Sequence, residues 1–121
     1  MTTDIYKHKE SSFERLNSTN YPNWAMNIEY LLSSLSLWTM CNGDRPRLAL
    51  LANGSQANRD ARAAYVEEFN DDCPKCVNIL YNSCSEDVRH IIRGMNDPRT
   101  MWTTLQAALD STASQIGRAH V

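Results

Sequence analysis

Apolar positions recur along the chain in bursts spaced by three or four residues, separated by polar, turn-forming tracts. The clearest burst is Trp24, Ile28, Leu31, Leu32 and Leu35, which lie on one face of an amphipathic helix. Ahead of it stands Asn17-Ser18-Thr19-Asn20, whose short polar side chains can bond nearby backbone amides and so favour a turn. Ser18 or Asn20 is placed to cap the helix. Pro22 suits its first turn, where a backbone N–H is not needed. The spacing predicts a helix over about Tyr21 to Ser34. Serines 33, 34 and 36 are weak helix formers, so a bend is expected there. Leu37-Trp38-Thr39-Met40-Cys41 then reads as a short apolar hook ended by Asn42-Gly43.

Asp44 to Ser55 reads as a loop with room for one helical turn. Gln56 to Phe69, rich in Ala, Arg and Glu, predicts a second helix marked by Ala61, Ala64, Tyr65, Val66 and Phe69. Asn70-Asp71-Asp72 with Pro74 predicts a capped third helix through Ile79 and Leu80 to about Asn82, or else a kink in a longer one. Ser85 as cap, with Val88, Ile91 and Ile92, predicts a fourth helix that Gly94 ends. Asp97-Pro98 opens a fifth, with Met101, Trp102, Leu105, Ala108 and Leu109 as its stripe. No strand alternation stands out, so the expected fold class is all-α, a compact bundle of about five helices. The expected division is a flexible N-terminal tail (residues 1–12), a helical domain (13–110) and a flexible C-terminal tail (111–121).

Composition narrows the function. Twelve basic against 14 acidic residues give a net charge of −2, which argues against a dominant electrostatic grip on nucleic acid. No stretch is apolar enough to span a membrane, and the polar N-terminus carries no apolar secretion segment. Four cysteines in such a chain read as reduced thiols, and the expected setting is cytoplasmic.

The loudest chemical pattern is Cys73-Pro-Lys-Cys76, which with Cys84 and His90 gives C-x2-C-x7-C-x5-H. Thiolates and an imidazole at such spacings can close a tetrahedral zinc site. The spacer from Cys76 to Cys84, however, is mostly an apolar helix stripe, and free cysteine packs as a small hydrophobe, so buried thiols are the favoured reading. A redox C-x-x-C lacks its βαβ setting. His8, His90 and His120 have no nucleophile motif near them, and no phosphate-cradling glycine loop is present. Glu67-Glu68 and Asp71-Asp72 read as a solvated face and a cap. Arg89, Arg93 and Arg99 are candidates for a small RNA-contacting patch, although surface arginines on a helix are the commoner case. Trp24, Trp38 and Trp102 read as core rather than as a ligand cage. No catalytic residue, cofactor or small-molecule substrate is expected from these residues.

The order of the marks carries more than any one of them. Leu16-Asn17-x-x-Asn20-Tyr21-x-x-Trp24-x3-Ile28-x3-Leu32, followed by Leu37-Trp38 and Gly43, resembles the opening of the Gag polyprotein of Copia-type (Ty1/Copia) LTR retrotransposons. Asp72, Cys76, Ile79 and Leu80 sit where that family has its D-x-x-A-x-x-x-I helix. Asp97-Pro-Arg-Thr-Met101-Trp102-x-x-Leu105 is similar to its T-A-K-E-M-W-x-x-L block. Ser18 stands where the family has glycine, and the cysteines do not match the family's C-x2-C-x4-H-x4-C knuckle. The resemblance implies an N-terminal capsid-like lobe with a structural, non-enzymatic role. It would self-associate through weak, repeated contacts in a virus-like particle around element RNA. The alternatives are a host-captured lobe that binds a peptide or protein, an RNA-binding domain, and a small zinc module.

Overall fold

The first helix, α1, spans Tyr21–Ser34, as the apolar spacing predicts. A bend follows, with Ser36 in the left-handed region at φ 60°, and the apolar hook winds into a short helix α2, Trp38–Asn42. The third helix, α3, runs without interruption over Gln56–Asn82. The last, α4, spans Pro98–Leu109. This computed structural model describes residues 3–110, and the predicted tail 111–121, with His120, lies outside them.

The expected all-α bundle of about five helices does not hold. Among the described residues there are four α-helices, one 3-10 turn at Arg89–Ile91 and an antiparallel hairpin, β1 (Ile5–His8) with β2 (Ser11–Glu14). The hairpin occupies most of the segment expected to be a flexible tail. It is held by one buried cross-strand pair, Tyr6 opposite Phe13, with ring centroids 5.5 Å apart. Arg15 closes its base, donating to the Asp4 carboxylate and the Ile5 carbonyl, each at 2.7 Å, and to the Asn82 carbonyl at 2.9 Å.

The predicted second and third helices are one. Asp72 accepts from Arg45 at 2.8 Å, so it answers a cation rather than capping a new start, and Pro74 is carried inside the helix. The predicted fourth helix is reduced to its 3-10 turn. Backbone bonds there run three residues back, Ile91 to Val88 and Ile92 to Arg89. Ser85, expected as its cap, donates its hydroxyl to Asp87 while its backbone N–H goes to Leu16.

Asn20 does not cap α1 either. Its side chain accepts from the Asn17 amide at 2.8 Å and donates to the Arg15 carbonyl and to Glu14. It clasps the turn that aims the chain into the helix. Leu16, fully buried, pairs in parallel with Cys84, its N–H donating to the Ser83 carbonyl at 2.9 Å. The opening block is thereby stitched to the end of α3.

The core gathers Trp24, Ile28, Leu31 and Leu32 of α1, Met40 and Cys41 of α2, Cys76, Ile79 and Leu80 of α3, and Met101, Trp102 and Leu105 of α4. Trp102 sits at the middle of an aromatic nest. Trp24 stacks on it at 5.6 Å and 22°, Trp38 meets it edge-on at 4.8 Å and 90°, and Tyr21 lies 6.1 Å away. Asp97 caps α4, accepting from the Thr100 amide at 3.0 Å, and Pro98 takes its first turn.

Candidate functional site

The apolar residues of the two signature blocks are interior, while Asn20 is half-buried. Leu16, Tyr21, Trp24, Ile28, Leu32 and Leu37 are buried with Met101, Trp102 and Leu105, while Trp38 is half-buried against them. They build the domain's core.

The zinc candidates are not brought together. Cys76 turns its sulfur to Cys41, 3.7 Å away, a partner the C-x-x-C spacing does not indicate. Cys73 lies against the Arg47 guanidinium and the Asn96 carbonyl, each 3.3 Å from its sulfur. Cys84 donates to the Leu80 carbonyl, and His90 is exposed. Among the described residues, no group of three or more His, Cys, Asp or Glu side chains is placed to hold a metal ion.

The arginine candidates are divided. Arg89 donates to the Cys84 carbonyl at 3.0 Å and lies over the Tyr81 ring at 5.1 Å. Arg99 donates to the Cys41 carbonyl at 2.9 Å. Both fasten the fold, and Arg93 is exposed. A more basic hollow, of about 570 Å³, is lined by Arg45, Arg47 and Arg99 with Asp44 and Asp97. Part of its charge is answered internally, with Arg45 on Asp72 at 2.8 Å and Arg47 near Asp97 at 3.9 Å.

Two surfaces are candidates for contact with other molecules, beside a hollow of about 640 Å³ between the hairpin turn, Leu35 and Leu37, and α3. On the outer face of α1, Met26 and Tyr30 are 65% and 79% exposed, one helical turn apart. Glu29 is the one charged residue of that helix. Leu50, in the loop before α3, is exposed to a similar degree at 65%. The second surface is a groove of about 600 Å³ along the C-terminal half of α3. One ridge is Asn70, Pro74, Asn78 and Asn82, and the next is Cys73, Val77 and Tyr81, each stepping by four residues. Asn82 donates its side-chain amide to the Asn78 backbone carbonyl and side-chain oxygen, each at 2.9 Å. Neither surface follows from the sequence pattern alone. The four-residue asparagine step and the Met26–Tyr30 pair are visible there, but only the packing tells which face of a helix is left open.

Burial sets the titration of several core groups. Burial, with Asp110 adding to it, pushes the Tyr21 hydroxyl up to about 12. Burial likewise pushes the Cys84 thiol up to about 12, against the pull of Arg89. The Cys41 thiol is held far above its ordinary range by its hydrogen bond with Cys76 and by burial. Such thiols stay protonated and are poor nucleophiles.

No helix among the described residues is long and apolar enough to cross a membrane. Comparison with protein-family models, with curated proteins and with solved structures finds no match to this chain.

Proposed function

We propose that this chain is a structural, non-enzymatic lobe of the Copia-type Gag kind, acting by self-association in a particle around element RNA within the cytoplasm. The observation that carries the reading is the distribution of apolar side chains. The residues of the two resembling blocks meet in one core, while Met26 and Tyr30 are left outward on a nearly uncharged helix face. A two-fold contact between copies of α1 would bury both side chains twice and bring few like charges together. Sedimentation or light scattering over a concentration series tests this. A mass that rises above the monomer with concentration is expected. A monomer at millimolar concentration would sink the proposal.

The groove along α3 supports a second reading, a module that takes a peptide segment. Its ridges offer apolar floor and amide hydrogen-bonding groups in alternation, the pairing an extended main chain needs. Chemical-shift changes confined to Asn78, Asn82 and Tyr81 on titration with a peptide library, in a chain that stays monomeric, would transfer the assignment to this reading.

A further inference from the structure

The four cysteines are all buried and unbridged, but only two of them have their sulfurs in contact. Cys41 on α2 and Cys76 on α3 lie 35 positions apart in the chain, are each fully buried, and bring their sulfurs to 3.7 Å. The other two sulfurs have different neighbours: Cys73 meets Arg47 and the Asn96 carbonyl, and Cys84 meets the Leu80 carbonyl. We propose that Cys41 and Cys76 form a redox-convertible dithiol that a small disulfide of the glutathione class oxidises to a crosslink between α2 and α3.

A disulfide bond is about 2.05 Å long, so the two sulfurs, already in van der Waals contact, must approach by less than about 2 Å. The exchange balances without any further oxidant. Buried, these thiols stay protonated; once exposed by local opening or before folding is complete, one of them ionises and its thiolate attacks the reagent's S–S bond, forming a mixed disulfide and releasing one small thiolate. The second cysteine attacks the protein sulfur of that mixed disulfide, forming the internal S–S bond and releasing the second small thiolate. Two protein S–H bonds are lost, and the reagent is reduced to two thiols.

The fold gates this reaction. Both sulfurs are out of reach of solvent, so the first attack needs α2 to lift from α3. That helix has five residues and is pinned at its end by Arg99, which donates to the Cys41 carbonyl at 2.9 Å. It also packs on α4, Trp38 against Trp102 with Met40 and Cys41 buried, so the opening in the folded chain is a rare local excursion, and refolding offers the easier route to the same bond. Once closed, the crosslink encloses the end of α2, the loop from Gly43 to Ser55 and α3 as far as Cys76. It restricts that whole stretch in the unfolded chain and so raises stability.

The test uses the whole reduced chain incubated with oxidised glutathione, first folded and then during refolding from denaturant. The expected product has lost two hydrogen atoms, yields one crosslinked peptide pair containing Cys41 and Cys76, and melts at a higher temperature than the reduced chain. Cys41→Ser and Cys76→Ser are expected to stop at a glutathione adduct, while Cys73→Ser still crosslinks. A bridge mapped to Cys73 and Cys76, or four thiols still free after refolding with the oxidant, overturns the proposal. The wild-type peptide map decides the matter even if a serine variant does not fold.

Discussion

Trp24 is the residue on which most of the core leans. It is fully buried, stacks on Trp102 and touches Tyr21, yet its indole N–H is buried without a hydrogen-bond partner. Two opposing effects follow. Truncation to alanine removes a large aromatic surface and leaves a cavity, so Trp24→Ala is expected to lower stability by about 3–5 kcal/mol in urea unfolding. Trp24→Phe also deletes the unpaired donor, whose burial costs about 1–3 kcal/mol, so its loss is expected to be clearly smaller. An unchanged urea midpoint for Trp24→Ala would remove Trp24 from the core. Titration offers a second check. The hydroxyl of Tyr21 and the thiol of Cys84 ionise in the unfolded chain near 10 and 9 but are held at about 12 in the fold. Between those values the folded state holds protons that the unfolded state has released. Their contribution to stability is therefore complete below about pH 9 and is lost as pH rises toward 12. Melting temperature is expected to fall over that alkaline window, and a flat profile there would contradict the burial of both groups.

The long helix α3 is two different objects joined end to end. Its N-terminal part, Gln56 to Glu68, is almost wholly exposed and is steadied from the loop before it, where the Tyr65 hydroxyl donates to the Pro46 carbonyl and Arg62 donates to the Ala49 carbonyl. Its C-terminal part carries Phe69, Cys73, Cys76, Ile79 and Leu80 into the core. An exposed helical arm gains little from packing, so its amides are expected to exchange with solvent orders of magnitude faster than those from Cys76 to Leu80. Equal protection along α3 would refute the division. Pro74 sits where the helix has least need of a breaker, since proline removes the bond to the Asn70 carbonyl. Pro74→Ala is expected to stabilise the domain by about 1–2 kcal/mol in urea unfolding, the restored bond outweighing proline's stiffening of the unfolded chain. A loss of stability would place Pro74 among residues chosen for the fold. The same helix shows how far sequence reaches. The start of α1 at Tyr21 and of α4 at Pro98 is written in proline and a clear apolar stripe. The continuity of α3 is not, because Asn70-Asp71-Asp72 and Pro74 are start signals whose partners, Arg45 above all, come from a distant loop. The hairpin is hidden for a related reason. Each strand buries one residue, Tyr6 or Phe13, too few for an alternation to rise above a polar tract, and its turn uses Lys9 at φ 53° where glycine is the usual signal.

At the scale of the whole molecule, core and surface divide the sequence unequally. The signature residues are easily read because burial forces them into a period, whereas Met26 and Tyr30 carry no period of their own. Their significance comes from being, with Leu50 and Leu51 of the loop before α3, the large apolar side chains that the core leaves out among the described residues. That contrast yields a prediction in which stability and association separate. Met26→Lys with Tyr30→Lys changes two exposed positions, and exposed substitutions alter stability by only about 0.5 kcal/mol each. The melting curve is therefore expected to stay nearly in place. Association is expected to change sharply. Burying an apolar or aromatic side chain of this size is worth about 1.5–3 kcal/mol, and a two-fold contact counts each position twice. The lysines also place like charges across the symmetry axis, on a face that otherwise holds Glu29 alone. A weakening of at least about tenfold in the self-association constant follows even if only one of these contacts is well packed, since each 1.4 kcal/mol is a factor of ten. Analytical ultracentrifugation of wild type and variant, with thermal melting in parallel, reads both quantities. Association that survives the two lysines would move the contact away from α1. A variant that melts early would instead show that Met26 and Tyr30 belong to the fold.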